Sequence, residues 1–379
     1  MQNKKPTVFI IAGEVSGDIL GSHIMAAAPD MEFIGVGGEN MVAAGLRPIF
    51  PLGDLAVMGV VEVLAHARTL TRRIRQTVDA IIASKPDIVV TIDSPGFARS
   101  VIKSLRKSAA GRHTIAAGLR FHHVVAPQVW AWRAGRAKKY AKTFDKLYAF
   151  FDFEVPYFTK YGLDTVAVGH PIAPSLIGQY KNNPAAKTIA LIPGSRMSEV
   201  KRLMPIYRDV AAELDRCGFA GYKFVIPTVE TTAEYIARET DSWATPVELI
   251  PADKRYELYA KTFVAIAASG TVSAELAMIH TPAIVVYRMN PITLWIARRV
   301  ISVRWVSLVN ILLNRGVYPE LLGGAANVRD ITGTFCRTAQ PNVRRTMVST
   351  LREADDLWRR PNGTPAELIA DGIRTALTK

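Results

Sequence analysis

Cysteine is nearly absent from this chain: there are two in 379 residues, Cys217 and Cys336, with no CxxC pair and no Cys/His cluster. That argues against a disulfide scaffold or a zinc framework and fits two reduced thiols in a cytosolic protein. Long apolar runs are missing as well. No uncharged stretch approaches the roughly 18 residues that a spanning helix needs. The opening MQNKKPTVFIIAGE has too short an apolar run for a secretory signal and no cleavage-site pattern. The expectation is a cytosolic chain that meets any membrane from its surface. There is neither a GKS or GKT Walker loop nor a GxGxxG fingerprint. Zinc-finger, helix-turn-helix and RNP patterns are also lacking, so nucleic acid is not an expected partner. No fixed-period repeat is visible.

Acidic residues are missing in two places. None occurs from Ser94 to Phe144, where Lys and Arg recur from Arg99 to Lys142. None occurs from Leu276 to Pro319, where Arg288, Arg298, Arg299, Arg304 and Arg315 interleave with Trp295, Trp305 and aliphatic residues. These gaps help produce a net charge of +14 and a pI near 9.8. Basic and bulky apolar residues on one element suit an anionic bilayer surface; a solvated basic face is the plainer reading.

What is present is an α/β pattern. At 49% hydrophobic and 21% charged, the composition is globular. Short apolar runs alternate with helix-period segments, which predicts parallel sheets built from βαβ units. Strands are expected at 7–12, 32–37, 87–92, 121–126, 146–151 and 165–169. They restart at TIALIP (188–193), 223–227, 247–251, 263–269 and 282–287. GHPIAPSLIGQYKNNPAAK (169–187), rich in Pro, Gly and Asn, reads as the interdomain linker. The layout is two Rossmann-like domains facing a central cleft, 1–172 and 173–349, with a C-terminal helix over 350–379 completing the first.

Two stretches carry the most chemistry. IALIPGSRMSEV (189–200) and AIAASGTVSAEL (265–276) each read as buried strand, small-residue turn and helix, the arrangement that offers backbone N–H groups to an anion. In the first, Gly194 allows close approach, Ser195 can cap and donate, and Arg196 can fork onto phosphate oxygens. In the second, Ser269, Gly270 and Thr271 would surround a phosphate and Glu275 would reach ribose hydroxyls. A cation for a diphosphate and a carboxylate for a ribose point to a nucleotide.

The first domain contrasts with this. In AGEVSGDILGSHIM (12–25), Glu14 and Asp18 would repel phosphate, so this turn suits sugar hydroxyls, with Ser16 able to cap the helix. Asp18 fits equally as a favourable charge at a helix start. In IDSPGF (92–97), Asp93 can accept a proton from a substrate hydroxyl or cap the following turn. His122 and His123 are adjacent on a strand and point to opposite faces, so they are not a paired metal site. Asn310, inside an apolar run, is either a structural cap or a ligand contact.

The motifs AGEVSGD, VGGENM, DLAVMGVVEVL, VAPQVWAW, GHP, IPGSRMSE, ASGTVSAEL, YRMNPITLWIARR and VSLVNILL occur in this order over almost the whole chain. Together they resemble lipid A disaccharide synthases, inverting glycosyltransferases of the GT-B fold. The resemblance implies transfer of a diacylated glucosamine from UDP to a diacylated glucosamine 1-phosphate, giving a β(1→6) disaccharide. It implies work at the cytoplasmic face of the inner membrane, no catalytic metal or other cofactor, and a possible homodimer. It places the diphosphate against Ser195, Arg196, Gly270 and Thr271, the ribose on Glu275, Asn310 near the sugar-nucleotide, and the acceptor against Glu14, Ser16 and Asp18. Two departures stand out. The family's IDxPDF places its favoured base where this chain has Gly96, so the role falls to Asp93, with Glu14 nearby. Gly323 stands where PELLQ is usual. A UDP-N-acetylglucosamine 2-epimerase-like enzyme and a non-catalytic sugar-nucleotide or lipid-binding protein are the alternatives; the basic apolar segments at 55–75 and 288–315 speak against a soluble substrate.

Overall fold

The structure is a computed structural model that describes residues 5–55, 67–288 and 304–378. Among the described residues the apolar runs form thirteen strands in two sheets. The first holds β1 (Thr7–Ala12), β2 (Glu32–Val36), β3 (Arg47–Pro48), β4 (Ile88–Ile92), β5 (Arg120–Val124), β6 (Lys146–Ala149) and β7 (Asp164–Ala167). All its pairings are parallel, in the order β3-β2-β1-β4-β5-β6-β7. The second holds β8 (Thr188–Ile192), β9 (Lys223–Thr228), β10 (Val247–Pro251), β11 (Val264–Ala268), β12 (Ala283–Tyr287) and β13 (Glu320–Leu322). It too is parallel throughout, ordered β10-β9-β8-β11-β12-β13. β3 and β13 were not expected; at two and three residues they are too short to show a period.

Strands of a parallel sheet are covered on both faces, which is why they read as continuous apolar runs. Phe9, Ile11, Val89, Phe121 and Leu147 pack on one face of the first sheet with Val101 and Leu105 of the helix Pro95–Lys107. Val8, Ile10, Val90, Ile92 and Tyr148 fill the other, with Leu20 and Ile24 of the helix Val15–Ala26. The C-terminal helix Pro365–Leu377 lays Ile369, Ala370 and Ile373 on this same face. Its start is set by a capping box: Glu367 N donates to Thr364 Oγ1 (3.3 Å) and Thr364 N to Glu367 Oε2 (2.7 Å).

The chain divides into two compact units, Met1–Pro171 with Arg359–Lys379, and Ile172–Trp358. The returning segment therefore begins later than residue 350. The helix Pro341–Glu353 stays with the second unit, where Trp358 is fully buried and Asp355 Oδ1 lies 2.8 Å from His280 Nε2. The Pro- and Gly-rich stretch after 169 is not all loop, since Ala173–Leu176 forms a helical turn with both end residues buried.

In each sheet strand order reverses beside one pair: β1 and β4 in the first, β8 and β11 in the second. Loops leaving the carboxyl ends of such a pair diverge to opposite faces and leave a crevice for ligands. Four of the loops singled out above leave those four strands.

Candidate active site

In the first unit the two diverging turns touch. β1 and β4 run in register, Ala12 opposite Ile92. A Cβ on Gly13 would lie 2.0 Å from Ser94 Oγ, so only glycine lets the β1 turn approach the β4 turn this closely. The contact brings Glu14 and Asp93, each next in sequence to one of the touching residues, onto adjoining turns. Asp93 and Ser94 both have left-handed backbone, φ 54° and 41°, and the β-branched Val125 beyond β5 has φ 79°. Such conformations cost on the order of 1–3 kcal/mol each, persist where surrounding structure enforces them, and collect at functional sites. Here the enforcing bonds are Asp93 N donating to Val124 O (3.1 Å), Val125 N to Tyr148 O (3.0 Å) and Ser94 N to Asp93 Oδ1 (2.8 Å).

Two expectations change on this side. The helix begins at Val15, with Glu14 as its extended N-cap, so Ser16 is an exposed first-turn residue and caps nothing. Asp18 is only 2% exposed, and its oxygens accept from Gly38 N (2.7 Å), Asn40 N (3.0 Å), Asn40 Nδ2 (2.8 Å) and Met41 N (3.1 Å). Burial alone would raise its pKa, but the bonds from Asn40, Met41 and Gly38 outweigh it and hold the group below the usual carboxylate value. Asp18 thus fastens the start of the helix Glu39–Ala43 rather than presenting a free carboxylate to an acceptor. Gly96 sits in the exposed first turn of Pro95–Lys107, where a Cβ would meet nothing within 4 Å.

His122 and His123 do face opposite ways. His122 Nδ1 lies 3.1 Å from Tyr148 OH, while His123 Nδ1 lies 2.7 Å from Thr91 Oγ1 and its ring stacks on Phe144. Burial pushes both down to about 3, so both are neutral. Among the described residues no group of three or more His, Cys, Asp and Glu is placed to hold a metal.

The acid-free stretch becomes a groove of about 380 Å³ lined by Arg99, Lys103, Arg106, Lys107, Lys139 and Lys142. Nearby, Arg133 and Arg136 flank the Trp132 ring at 5.2 and 4.7 Å. The second basic apolar segment, including Trp295, Arg298 and Arg299, lies largely outside the described residues, as do 56–66 of the first.

In the second unit the two nucleotide-type loops leave adjacent strands. β8 and β11 pair with Ile192 opposite Ala267. Gly194 has φ 98°, and a Cβ there would stand 2.6 Å from Glu199 Oε2 and 3.5 Å from Ala268 Cβ. Arg196, not Ser195, is the N-cap of the helix Met197–Leu214. Its guanidinium is 70% exposed, with a 3.3 Å bond from Nη1 to Glu199 Oε1. Gly270, with φ 152°, caps the helix Thr271–Met278, and both Gly270 and Thr271 are exposed. Ser269 is tied in by its N–H donating to Val286 O (3.1 Å). Two helix N-termini thus leave neighbouring strands with a solvent-facing cation beside them, which is an anion-binding arrangement.

Glu275 lies deeper, 8% exposed, where Arg255 Nε and Nη2 each donate at 3.4 Å and Tyr256 OH at 3.2 Å. Burial raises its pKa and Arg255 partly offsets the rise. Asn310 is a correction. It is fully buried; its amide oxygen accepts from Val317 N (2.8 Å) and Tyr318 N (2.9 Å), and its nitrogen donates to Tyr318 O and Glu320 Oε1, both at 2.8 Å. Every hydrogen-bonding position is used within the chain, so the structural alternative holds. Glu320, which the sequence did not single out, also accepts from Val306 N and Ser307 N and fixes the start of the helix Leu308–Leu313.

Two all-parallel sheets of Rossmann order, each with its candidate loops at the switch point, define an α/β protein of the GT-B type. Solved structures of that architecture match almost end to end. UDP-GlcNAc 2-epimerase from Neisseria meningitidis bound to UDP-GlcNAc is 12% identical, with TM-score 0.63, covering 97% of this chain and 100% of that one. CalG4, the calicheamicin glycosyltransferase, is 14% identical with TM-score 0.60, covering 99% of each. At such identities the likeness is one of fold. Sequence goes further: the Lipid-A-disaccharide synthetase family model matches residues 8–345. The lipid-A-disaccharide synthase of Rhodospirillum centenum is 37% identical over 98% of this chain and 95% of the relative. That of Gluconobacter oxydans is 36% identical over 98% and 91%. The chain belongs to the lipid-A-disaccharide synthase family, and is a glycosyltransferase. An epimerase reading, carried by fold alone, is not favoured.

Proposed function

We propose that this enzyme moves an acylated glucosamine from UDP onto an acylated glucosamine 1-phosphate, with inversion, to form the β(1→6) lipid A disaccharide precursor. The observation that carries the donor side is the pairing of β8 with β11, whose carboxyl ends lead into two helix starts, one capped by Arg196 and the other by Gly270. On this reading the diphosphate lies against Ser195, Arg196, Gly270 and Thr271. Glu275, held by Arg255 and Tyr256, takes the ribose. Asp93 removes the proton from the acceptor 6-hydroxyl, and Glu14 on the adjoining turn contacts the acceptor sugar. The freed oxygen attacks the anomeric carbon as the bond to the UDP oxygen breaks. Negative charge grows on the departing diphosphate, and on this reading Arg196 and the helix-start N–H groups offset it.

Both substrates carry acyl chains, which requires work at a lipid surface. No helix among the described residues is long and apolar enough to cross a membrane. The basic groove between the helices Pro95–Lys107 and Ala137–Ala141 supports peripheral contact with the anionic cytoplasmic face of the inner membrane. Binding to phosphatidylglycerol vesicles is expected to weaken as salt rises; salt-insensitive binding would assign the contact to apolar anchoring instead. The direct test of the reaction supplies the diacylated UDP-glucosamine donor and labelled acceptor. Disaccharide and UDP are expected in equal amounts. UDP binding without disaccharide would reduce the chain to a binding protein, and an epimerised donor sugar would replace the proposed reaction.

A further inference from the structure

The first unit contains a cavity of about 820 Å³ between the helices Val15–Ala26 and Glu39–Ala43 and the segment 48–53. Its walls include Val15, Val42, Ile49, Phe50 and Leu52, and Glu14 lines it too. Val15 is 67% and Val42 46% exposed, so large aliphatic groups are held in water at one concavity. Contiguous exposed apolar surface of this kind marks a binding site.

The walls are braced. On one side the four hydrogen bonds to Asp18 fix the turn Gly38–Met41. On the other, Gln76 Nε2 donates to Ile49 O (2.9 Å), Arg73 Nε donates to Asp54 Oδ2 (2.7 Å), and the Arg73 guanidinium lies 4.7 Å from the Phe50 ring centroid. A cavity braced by hydrogen bonds on both sides keeps its shape when empty. The polar lining, Glu14, Asp18, Glu39 and Asn40, belongs to the two helix starts, while Val42, Ile49, Phe50 and Leu52 give the rest an apolar wall; an aliphatic chain gains by leaving water for that wall, and a sugar does not.

We infer that this cavity seats an acyl chain of the acceptor and measures its length. The inference rests on the transfer reaction proposed above. What commits the occupant is continuity. Glu14 lines the cavity, and the residue before it, Gly13, abuts Ser94 beside Asp93. A chain seated against Val42 and Leu52 therefore leaves its sugar at the Glu14 turn, next to the carboxylate assigned as base. Asp18 is here a positioning residue that keeps the wall in place.

The test uses the full-length enzyme and acceptors differing only in acyl length. Each methylene that enters the cavity is expected to lower the wild-type acceptor KM about fourfold, until the space is filled. Val42→Trp, at an exposed helix position, should flatten that series and move the optimum to shorter chains, with UDP affinity unchanged. Val42→Asp should weaken binding of a dansyl-labelled twelve-carbon fatty acid at least tenfold. A wild-type length series in both variants, with undiminished probe binding, would overturn the inference while leaving the transfer reaction standing. Absence of disaccharide from every acceptor, with normal probe binding, would instead count against the transfer reading.

Discussion

Asp93 is the residue on which the proposed chemistry turns, and its neighbour Gly96 offers an internal control. Asp93→Asn is nearly isosteric. Asparagine tolerates left-handed backbone as aspartate does, so the turn at φ 54° should survive, and its Oδ1 can still accept from Ser94 N. What disappears is the ability to take a proton. General base catalysis is typically worth about 10²–10⁴-fold, so turnover should fall by that range while UDP affinity, which the proposal assigns to the second unit's loops, stays within twofold. Gly96→Asp acts differently. A Cβ there meets nothing within 4 Å, and the position lies in the first turn of Pro95–Lys107. Glycine in a helix costs about 0.3 kcal/mol more than aspartate, and an acid at a helix N-terminus contributes about 0.3–1 kcal/mol. The change should stabilise the protein by about 0.6–1.3 kcal/mol. In the Asp93→Asn background it should also recover at least tenfold in turnover, because it restores a carboxylate three residues further along the same turn. Single-turnover rates with saturating donor, beside urea unfolding, read both arms. Turnover within threefold of wild type in Asp93→Asn, with UDP bound normally, would remove Asp93 as the base and turn attention to Glu14→Gln.

Three further outcomes follow from the structure. Arg196→Ala should weaken UDP binding about 10–100-fold by calorimetry, the worth of a charge-assisted pair; unchanged affinity would take Arg196 out of the donor site. Asn310→Ala strands the buried N–H groups of Val317 and Tyr318, so stability should fall by about 2–4 kcal/mol while the folded fraction binds UDP normally; a selective loss of UDP affinity would return Asn310 to the ligand. His123 has a folded pKa of about 3 against 6.5 for the free group. The unfolded chain therefore takes up a proton that the native state refuses, and stability falls as pH drops from 6.5 towards 3. Between pH 7 and 5 the loss should be about 2 kcal/mol for this residue, and His123→Phe, which keeps the stack on Phe144, should remove it from the urea midpoints.

Much of the architecture was legible because parallel strands buried on both faces cannot be mistaken for surface segments. TVFIIA, IVVTI, TIALI and VAIAA carry scarcely a polar atom, and they are the four strands at the two switch points. The edge pieces Arg47–Pro48 and Glu320–Leu322 were not, since pairing rather than pattern makes them strands. Within the site, residue type was readable but commitment was not. Asp18 has its partners 20 to 23 residues away, and Asn310 finds its own across a turn. A sequence shows that a carboxylate or amide is present; it does not show whether its lone pairs are already taken. The left-handed backbone at Asp93 and Ser94 was equally hidden, because neither residue type announces it.

The two units also show how one fold yields two chemistries from its ends. In both, helices start at the carboxyl edge of the sheet, so both crevices begin with the partial positive charge of helix N-termini. The second unit adds to that charge: Arg196 caps one helix, and glycine, with no side chain, caps the other. The result favours an anion of high charge. The first unit opposes it: Glu14 occupies one N-cap, and Asp93 stands immediately before the other, at Ser94. A diphosphate would meet two carboxylates there, while a hydroxyl would meet acceptors for its proton. On the proposed reading, the division between donor and acceptor sides follows the residues at the caps, and the fold itself is indifferent to it. Exchanging the signs, with Arg196→Glu, should therefore do more than delete a contact. It should convert the second unit's crevice into one that repels UDP, costing more affinity than Arg196→Ala does. If the two variants proved equal, the helix ends and not the cap side chain would be setting the polarity.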